Sequence, residues 1–295
     1  MPGAGGSDAP TGATPVPVGT PLTDAEYHRL PALSQSGMKL LLPPSCPALF
    51  KHWQENRRPS KPAYDFGHIV HDLVLGGGPE IVTVPFDSWR TKAAQTMRDK
   101  AYAEDRVPVL WADFCRAVAC ASAVLADPLA HSLFSNGRAE VTLSWTDPDT
   151  GVAMRGRVDW LRDKTKGRVY AVDLKTSASA EPKAFAKSAA NFGYHQQQAN
   201  YVDGIKAAGL SDNPGFLFVV VEVEPPHIVS VVELDPTDVE LGRDMNARAT
   251  RIFKACSESG HWPNYTGGEI ARVSLPTWYV RQAEAEMTDD TENAA

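Results

Sequence analysis

The sequence predicts an α/β (α+β) fold in which a helical N-terminal portion precedes a core ordered helix, three strands, helix, strand. Three observations predict it. Within residues 63–75, Phe66, Ile69, Val70, Leu73 and Val74 recur at i, i+3, i+4, i+7 and i+8, the spacing of a helix with one stripe against a core. From Arg138 onward the apolar period changes to two, the alternation of strands. Further on, the apolar run Phe216 to Val221 has the length of a buried strand and falls far short of the ~20 residues of a membrane helix.

Each element follows from local signals. Ser34 or Ser36 caps a helix running through Leu42, and Pro47 suits the first turn of the next. Pro108 starts another helix, which stops before Asp127-Pro128. Strands are expected at about 139–146, 152–161 and 168–175, joined by turns at Asp147-Pro148-Asp149-Thr150-Gly151 and Asp163-Lys164-Thr165-Lys166-Gly167. Helices at 182–191 and 194–208 follow, then strands at 215–223 and 227–234 and a helix from Pro236 to about Ser257. No internal repeat is visible.

The 295 residues suffice for one large domain, expected here over residues 23–282, with its helical part at about 33–135 and its strand-containing core at about 136–282. Residues 1–22 hold five Gly and five Pro and few large apolar side chains, so they read as a disordered leader without the features of a secretory signal. Residues 283–295 carry Glu284, Glu286, Asp289, Asp290 and Glu292 and no base, and read as a disordered acidic tail. Removing those five acids takes the formal net charge from −7 to −2, so the body is close to neutral. The acidic balance argues against binding nucleic acid through bulk charge. Four cysteines without a CxxC pair suit reduced thiols in a cytoplasmic protein.

Two carboxylates and a lysine carry the most pointed chemistry. If the second hairpin closes around Asp163 to Gly167, Asp159 lies opposite Val172 or Asp173, about 5 Å away in an antiparallel pair. Asp173 and Lys175 share a face of their strand, with Leu174 on the other. Carboxylates this close repel unless a cation occupies the gap, and hard oxygen ligands with room for water favour Mg²⁺ or Mn²⁺. A neighbouring lysine can deprotonate or orient water and stabilise charge on a phosphoryl group. The same residues also suit a two-sided sheet with Lys175 in an ordinary cross-strand pair. Gln197 and Tyr201, at i and i+4, share a helix face and can hydrogen-bond a phosphate or a metal-bound water, or Tyr201 can pack in the core. His71 sits at the edge of the 63–75 stripe, as a ligand or as a boundary residue, while His68 points away. With no cysteine or third histidine close in sequence, His68 and His71 do not make a zinc site.

These pieces resemble the PD-(D/E)xK nuclease superfamily, and within it the RecE-type (exodeoxyribonuclease VIII-like) exonucleases of phages and prophages. The resemblance runs from Leu33 to Trp278 through LSQSGMKLLLPPSCPALF, FGHIVHDLVLG, EVTLSW, GRVDWL, VDLKTSAS, YHQQQANY and HWPNYTGGEIARVSLPTW, in that order. It implies a restriction-endonuclease-like core (αβββαβ). His71, Asp159 and Asp173 resemble the metal ligands, with the Leu174 carbonyl and Glu140 as further ligands. Lys175 resembles the catalytic lysine, and Gln197 and Tyr201 the QxxxY helix. Val158 stands where the namesake motif has proline, and Asp173 where many members have glutamate.

The resemblance implies a Mg²⁺-dependent (or Mn²⁺-dependent) exonuclease that degrades linear double-stranded DNA 5′ to 3′. The resulting 3′ tail serves a RecT-like single-strand annealing protein. It further implies a homo-oligomeric ring, a bacterial cytoplasm, a phage or prophage origin and no membrane. DNA would meet Ser34, Ser36, Lys39, Arg57 and Arg58, with Arg157 and Thr176 beside the carboxylates. The cations Lys51, Lys61, Arg90, Lys92, Arg98 and Lys100 lie in the same helical half. Two rivals remain. One is a non-catalytic scaffold binding DNA or a partner. The other is a helicase- or CRISPR-associated nuclease, in which an iron-sulfur cluster is not expected, because only Cys256 follows the core.

Overall fold

The computed structural model describes residues 16–56, 66–165 and 168–293. In chain order the elements are α1 (Asp24–Arg29), β1 (Leu33–Ser34), α2 (Gln35–Leu40), α3 (Pro47–Glu55), α4 (Phe66–Leu75), β2 (Ile81–Val84), α5 (Lys92–Ala103), β3 (Val107–Leu110), α6 (Trp111–Ala126) and α7 (Pro128–Leu133). The core continues with β4 (Gly137–Thr146), β5 (Ala153–Thr165), β6 (Arg168–Ser177), α8 (Pro182–Phe192), α9 (Tyr194–Ala207), β7 (Gly215–Glu222), β8 (Val229–Val232), α10 (Pro236–Ser259) and α11 (Thr277–Asn293). The fold is the expected α+β arrangement of a sheet with helices packed on it.

Helix starts follow cap chemistry. Proline occupies the first turn of α3, α7, α8 and α10, where its missing N–H costs nothing. The Asp127, Glu181 and Asp235 side chains accept first-turn N–H groups of α7, α8 and α10.

The main sheet runs β1-β5-β6-β7-β8, with β4 paired to β5. Its β4–β5, β5–β6 and β7–β8 pairs are antiparallel, and β6–β7 and β1–β5 are parallel. β6 and β7 are buried on both faces, which explains their near-continuous apolar sequences. On one face Val169, Ala171, Phe216 and Phe218 pack against α8, α9 and α10 through Phe185, Ile205 and Phe253. On the other, Val172, Leu174, Val219 and Val221 pack against α4 and α6 through Ile69, Val70, Cys120 and Val124.

Three expectations differ from the structure. Pro108 does not start a helix. It lies in β3, which pairs in parallel with β2 as a two-stranded sheet, where a proline can leave one edge without a donor; the helix begins at Trp111. The tail expected to be disordered from residue 283 is helical as part of α11, whose Gln282 donates to Glu286 one turn on. Its Ala, Glu, Gln and Met content favours a helix even without burial. β5 extends further than expected, to Thr165, and β6 begins at Arg168. Residues 1–15 of the expected leader lie outside the described residues, as do 57–65. No described helix is long and apolar enough to cross a membrane.

Candidate active site

The site occupies a fork in the sheet. β4 covers one edge of β5 from Ala153 to Arg162. The opposite edge is therefore shared: β1 pairs with Met154 and Arg155, and β6 begins pairing at Trp160. Among the described residues, no strand pairs with Gly156 to Asp159 on that side. The Leu174 N–H, just past the last β5–β6 pair, instead donates to Asp159 Oδ2 at 3.1 Å. Gly156 keeps the gap accessible to α9. A Cβ there would lie 2.9 Å from Cδ1 and Cε1 of Tyr201, whose ring fills the space.

The strand alternation also switches here. In β5, Met154 and Val158 face the α9 side with Leu161, whereas Trp160 joins the α4 side. In β4, Val141 and Leu143 face the α9 side, whereas Ala139 packs on the α4 side. Glu140, at the switch, has φ +49°, a left-handed conformation that non-glycine residues rarely adopt. The strained residue sits between the pairs Ala139–Trp160 and Val141–Val158, across from Asp159.

Because the sheet opens at this point, helices from both faces reach the same carboxylates. From α4, His71 Nε2 lies 3.1 Å from Asp159 Oδ2. From α9, Gln197 Nε2 donates to Asp173 Oδ1 at 2.6 Å. Asp173 is fully buried, and its Oδ2 forms an ion pair with Lys175 Nζ. That oxygen is shut off from solvent, and Lys175 is the cation that faces it. Lys175 Nζ also lies 4.8 Å from the centroid of the Tyr194 ring, a cation–π contact.

The electrostatics split the two carboxylates. Burial and the neighbouring Asp159 charge push Asp173 up to about 6, against the pull of Lys175 and His71. Burial would raise Asp159 too, but the His71 charge, its hydrogen bond, Lys175 and the Leu174 N–H outweigh it and hold Asp159 below the ordinary value. Burial opposes the charged forms of His71 and Lys175, yet the carboxylates raise both, so each favours its protonated form.

A cleft of about 670 Å³ opens over this cluster, lined among others by His71, Glu140, Arg157, Asp159, Lys175 and Thr176. The sequence-predicted residues thus divide. His71, Asp159, Asp173, Lys175 and Gln197 meet at the fork. Leu174 and Thr176 border the cleft on β6, and Leu174 contributes a backbone donor to Asp159. Tyr201 is half-buried behind Gly156, where desolvation pushes its hydroxyl well above the usual range, and it hydrogen-bonds Gln197. It therefore supports Gln197 and is not itself at the cleft surface.

The predicted DNA-facing residues are more scattered. The Ser34 hydroxyl accepts the Gly37 N–H and so serves as the cap of α2, a six-residue helix; Ser36 lies within that helix. Lys39 points toward the α8–α9 junction, its Nζ donating to the Phe192 carbonyl, and burial and nearby Lys175 lower its pKa. Lys51 pairs with Glu55 and Arg98 with Asp99. Arg57, Arg58 and Lys61 lie outside the described residues.

Residue-by-residue reading missed Asp24, His28 and Tyr194, which also line the cleft. Tyr194 was legible, since it stands one helical turn before Gln197. The signal for α1 was the capping box from Thr23 to Glu26, whose side chains reciprocally bond the opposite backbone N–H groups.

A family model, described as a PDDEXK-like domain of unknown function (DUF3799), matches residues 34–273. The chain belongs to this PDDEXK-like family. No curated protein matches it. Among solved structures, the crystal structure of a candidate exonuclease from Eubacterium rectale aligns with a TM-score of 0.55 and 12% identity. The alignment covers 89% of this chain and 98% of that one, a likeness of fold.

Members of PDDEXK-like families typically use divalent metal ions, and the donor chemistry here suits one. Two adjacent carboxylates, one raised by the charge of the other, leave negative potential that a hard cation would neutralise. Among the described residues, no three His, Cys, Asp or Glu side chains form a ready-made cage. Here the expected ligands engage the chain's own groups. His71 and the Leu174 N–H occupy Asp159, Lys175 and Gln197 occupy Asp173, and Glu140 Oε2 lies 3.9 Å from Arg157.

Proposed function

We propose that this PDDEXK-like protein is a Mg²⁺-dependent, RecE-type exodeoxyribonuclease that degrades linear double-stranded DNA 5′ to 3′, leaving 3′ tails for a strand-annealing protein. The observation that carries the nuclease reading is the convergence of Asp159, Asp173, Lys175, Gln197 and His71 at the sheet fork, beneath an open cleft. The ordered motifs from Leu33 to Trp278 support the RecE-type assignment and the polarity.

Asp159 and Asp173 would hold the cation, with His71, the Leu174 carbonyl and Glu140 beside them, and the bound ion would supply Lewis-acid activation of the phosphodiester. The chain's own groups do the rest. Lys175, kept as an ammonium by Asp173 and Asp159, orients water and stabilises charge developing on the phosphoryl oxygens. Gln197 fixes the Asp173 carboxylate, and Tyr201 fixes Gln197. A ring assembly is part of the same reading. It is supported by the exposed apolar residues Ile270, Val273, Leu275, Trp278 and Met287, which a lone chain leaves in water.

The test is digestion of linear duplexes bearing 5′-phosphate, 5′-hydroxyl or blocked ends, with and without Mg²⁺. Mg²⁺-dependent shortening that starts at free 5′ ends is the expected result. Binding under both Ca²⁺ and Mg²⁺ without cutting would favour a non-catalytic scaffold.

A further inference from the structure

Arg157 stands on β5 two residues before Asp159 and lines the same cleft. Its guanidinium lies over the Tyr27 ring, 4.8 Å from the centroid, which fixes its plane. Its Nη2 contacts Asp24 Oδ1 at 2.6 Å, whereas its Nη1 is buried without a hydrogen-bond partner, with Glu140 Oε2 3.9 Å away. The fork is therefore half used. A structural ion pair would satisfy both nitrogens, since a carboxylate can engage a guanidinium through two parallel bonds.

Asp24 is an exchangeable partner for that fork. Its side chain is 72% exposed, at the first position of α1. One turn later the helix is anchored independently. The buried Arg155 donates through Nη1 to the backbone carbonyls of Tyr27 and Leu30 and also lies over the Tyr27 ring, 4.8 Å from the centroid. A change of Asp24 rotamer would free the outer face of Arg157 while the Tyr27 stack stays in place.

We propose that in the free protein the Asp24 carboxylate occupies the anion position at Arg157, standing in for a phosphodiester of the substrate. The inference rests on the nucleic-acid reading of the cleft. A phosphodiester group carries two non-bridging oxygens, enough to replace Asp24 at Nη2 and to give Nη1 the hydrogen bond that Glu140 Oε2, 3.9 Å away, does not. The strand carrying Arg157 also carries Asp159, so a phosphate held there is placed in register with the carboxylates. Asp24 then competes with substrate and excludes weakly bound anions.

The experiment measures binding of a labelled linear duplex in EDTA, where cutting cannot interfere, alongside thermal melting. Asp24→Asn should tighten binding about three- to fivefold at low salt, the scale of one exposed ion pair. Arg157→Gln should weaken binding and reduce the salt slope by about one, and Asp24→Asn should bring no gain in the Arg157→Gln background. Asp24→Ser, which also removes the charge but keeps a small polar residue at the helix start, repeats the measurement if Asp24→Asn melts early. Unchanged or weaker binding by both Asp24 variants overturns the proposal and makes the pair structural. Mg²⁺-dependent cutting by the wild type is scored separately, so that failure of this inference leaves the nuclease reading standing. Absence of DNA binding by wild type and variants alike overturns both.

Discussion

His71 Nε2 and Asp159 Oδ2 lie 3.1 Å apart, a contact that ties α4 on one face of the sheet to the open edge of β5. It forms because Asp159 stands where the β5–β6 ladder has ended, so its carboxylate takes the Leu174 N–H of β6 and still has room for His71 from α4. The same opening admits Gln197 from the opposite face to Asp173.

Lys175→Ala should lower cleavage of linear duplex by at least about a hundredfold while DNA binding in Ca²⁺ stays within a few-fold of wild type. Single-turnover digestion and equilibrium binding are the measurements. A variant that cuts at the normal rate would remove Lys175 from the chemistry.

Asp173→Asn should make the metal-free protein more stable at pH 8 and leave it near wild type at pH 4. The folded Asp173 carboxyl holds its proton up to about pH 6, against a reference value of 3.8. Between those values the native state binds more protons than the unfolded state, so this group's contribution to stability falls as pH rises through that window. The expected gain at pH 8 is about 1–3 kcal/mol, read from denaturant unfolding in EDTA. An equal effect at both pH values would show that Asp173 ionises without cost. The same variant should be inactive, the trade expected where function requires a strained charge.

Gly156→Ala should cost about 1–3 kcal/mol and reduce activity as well, because its Cβ would meet the Tyr201 ring at 2.9 Å and the ring is backed by α9. Displacing Tyr201 moves the face that presents Gln197. Melting temperature and turnover together test this, and unaltered turnover in a destabilised variant would uncouple Tyr201 from the site.

Of the four thiols, Cys115 is exposed and Cys46, Cys120 and Cys256 are buried. Burial raises the Cys120 and Cys256 thiols above their ordinary range, which further slows their reaction. The native protein should therefore react with a disulfide reagent at pH 8 through a single fast thiol, and at all four once denatured in guanidinium. A second fast thiol in the native state would show that α6, α10 or the start of α3 opens readily.

Much of this protein was readable from local patterns. Cap residues and prolines marked α3, α8 and α10, because those signals act within one turn of chain. The period-two stretches gave β4, β5 and β6, and the apolar run gave β7, which is buried on both faces. The spacing of Asp173 and Lys175 is likewise local, and the hairpin length set Asp159 against Val172 or Asp173, of which the Trp160–Val172 pairing selects Asp173. Where patterns misled, another partner decided. Pro108 looks like a helix start until β2 pairs beside it, whereas Ser34 caps α2 as its place in the sequence suggests.

The tertiary structure alone decided the fork and everything that depends on it. Nothing in the local pattern announces that β1 and β6 divide one edge of β5, that Glu140 turns left-handed across from Asp159, or that Asp24 reaches Arg157. The physical reason is range. Propensity, capping and alternation are set by neighbours a few residues away, whereas the shared edge, the burial that pushes Asp173 up to about 6 and the approach of His71 arise when segments distant in sequence compete for the same few ångströms of space.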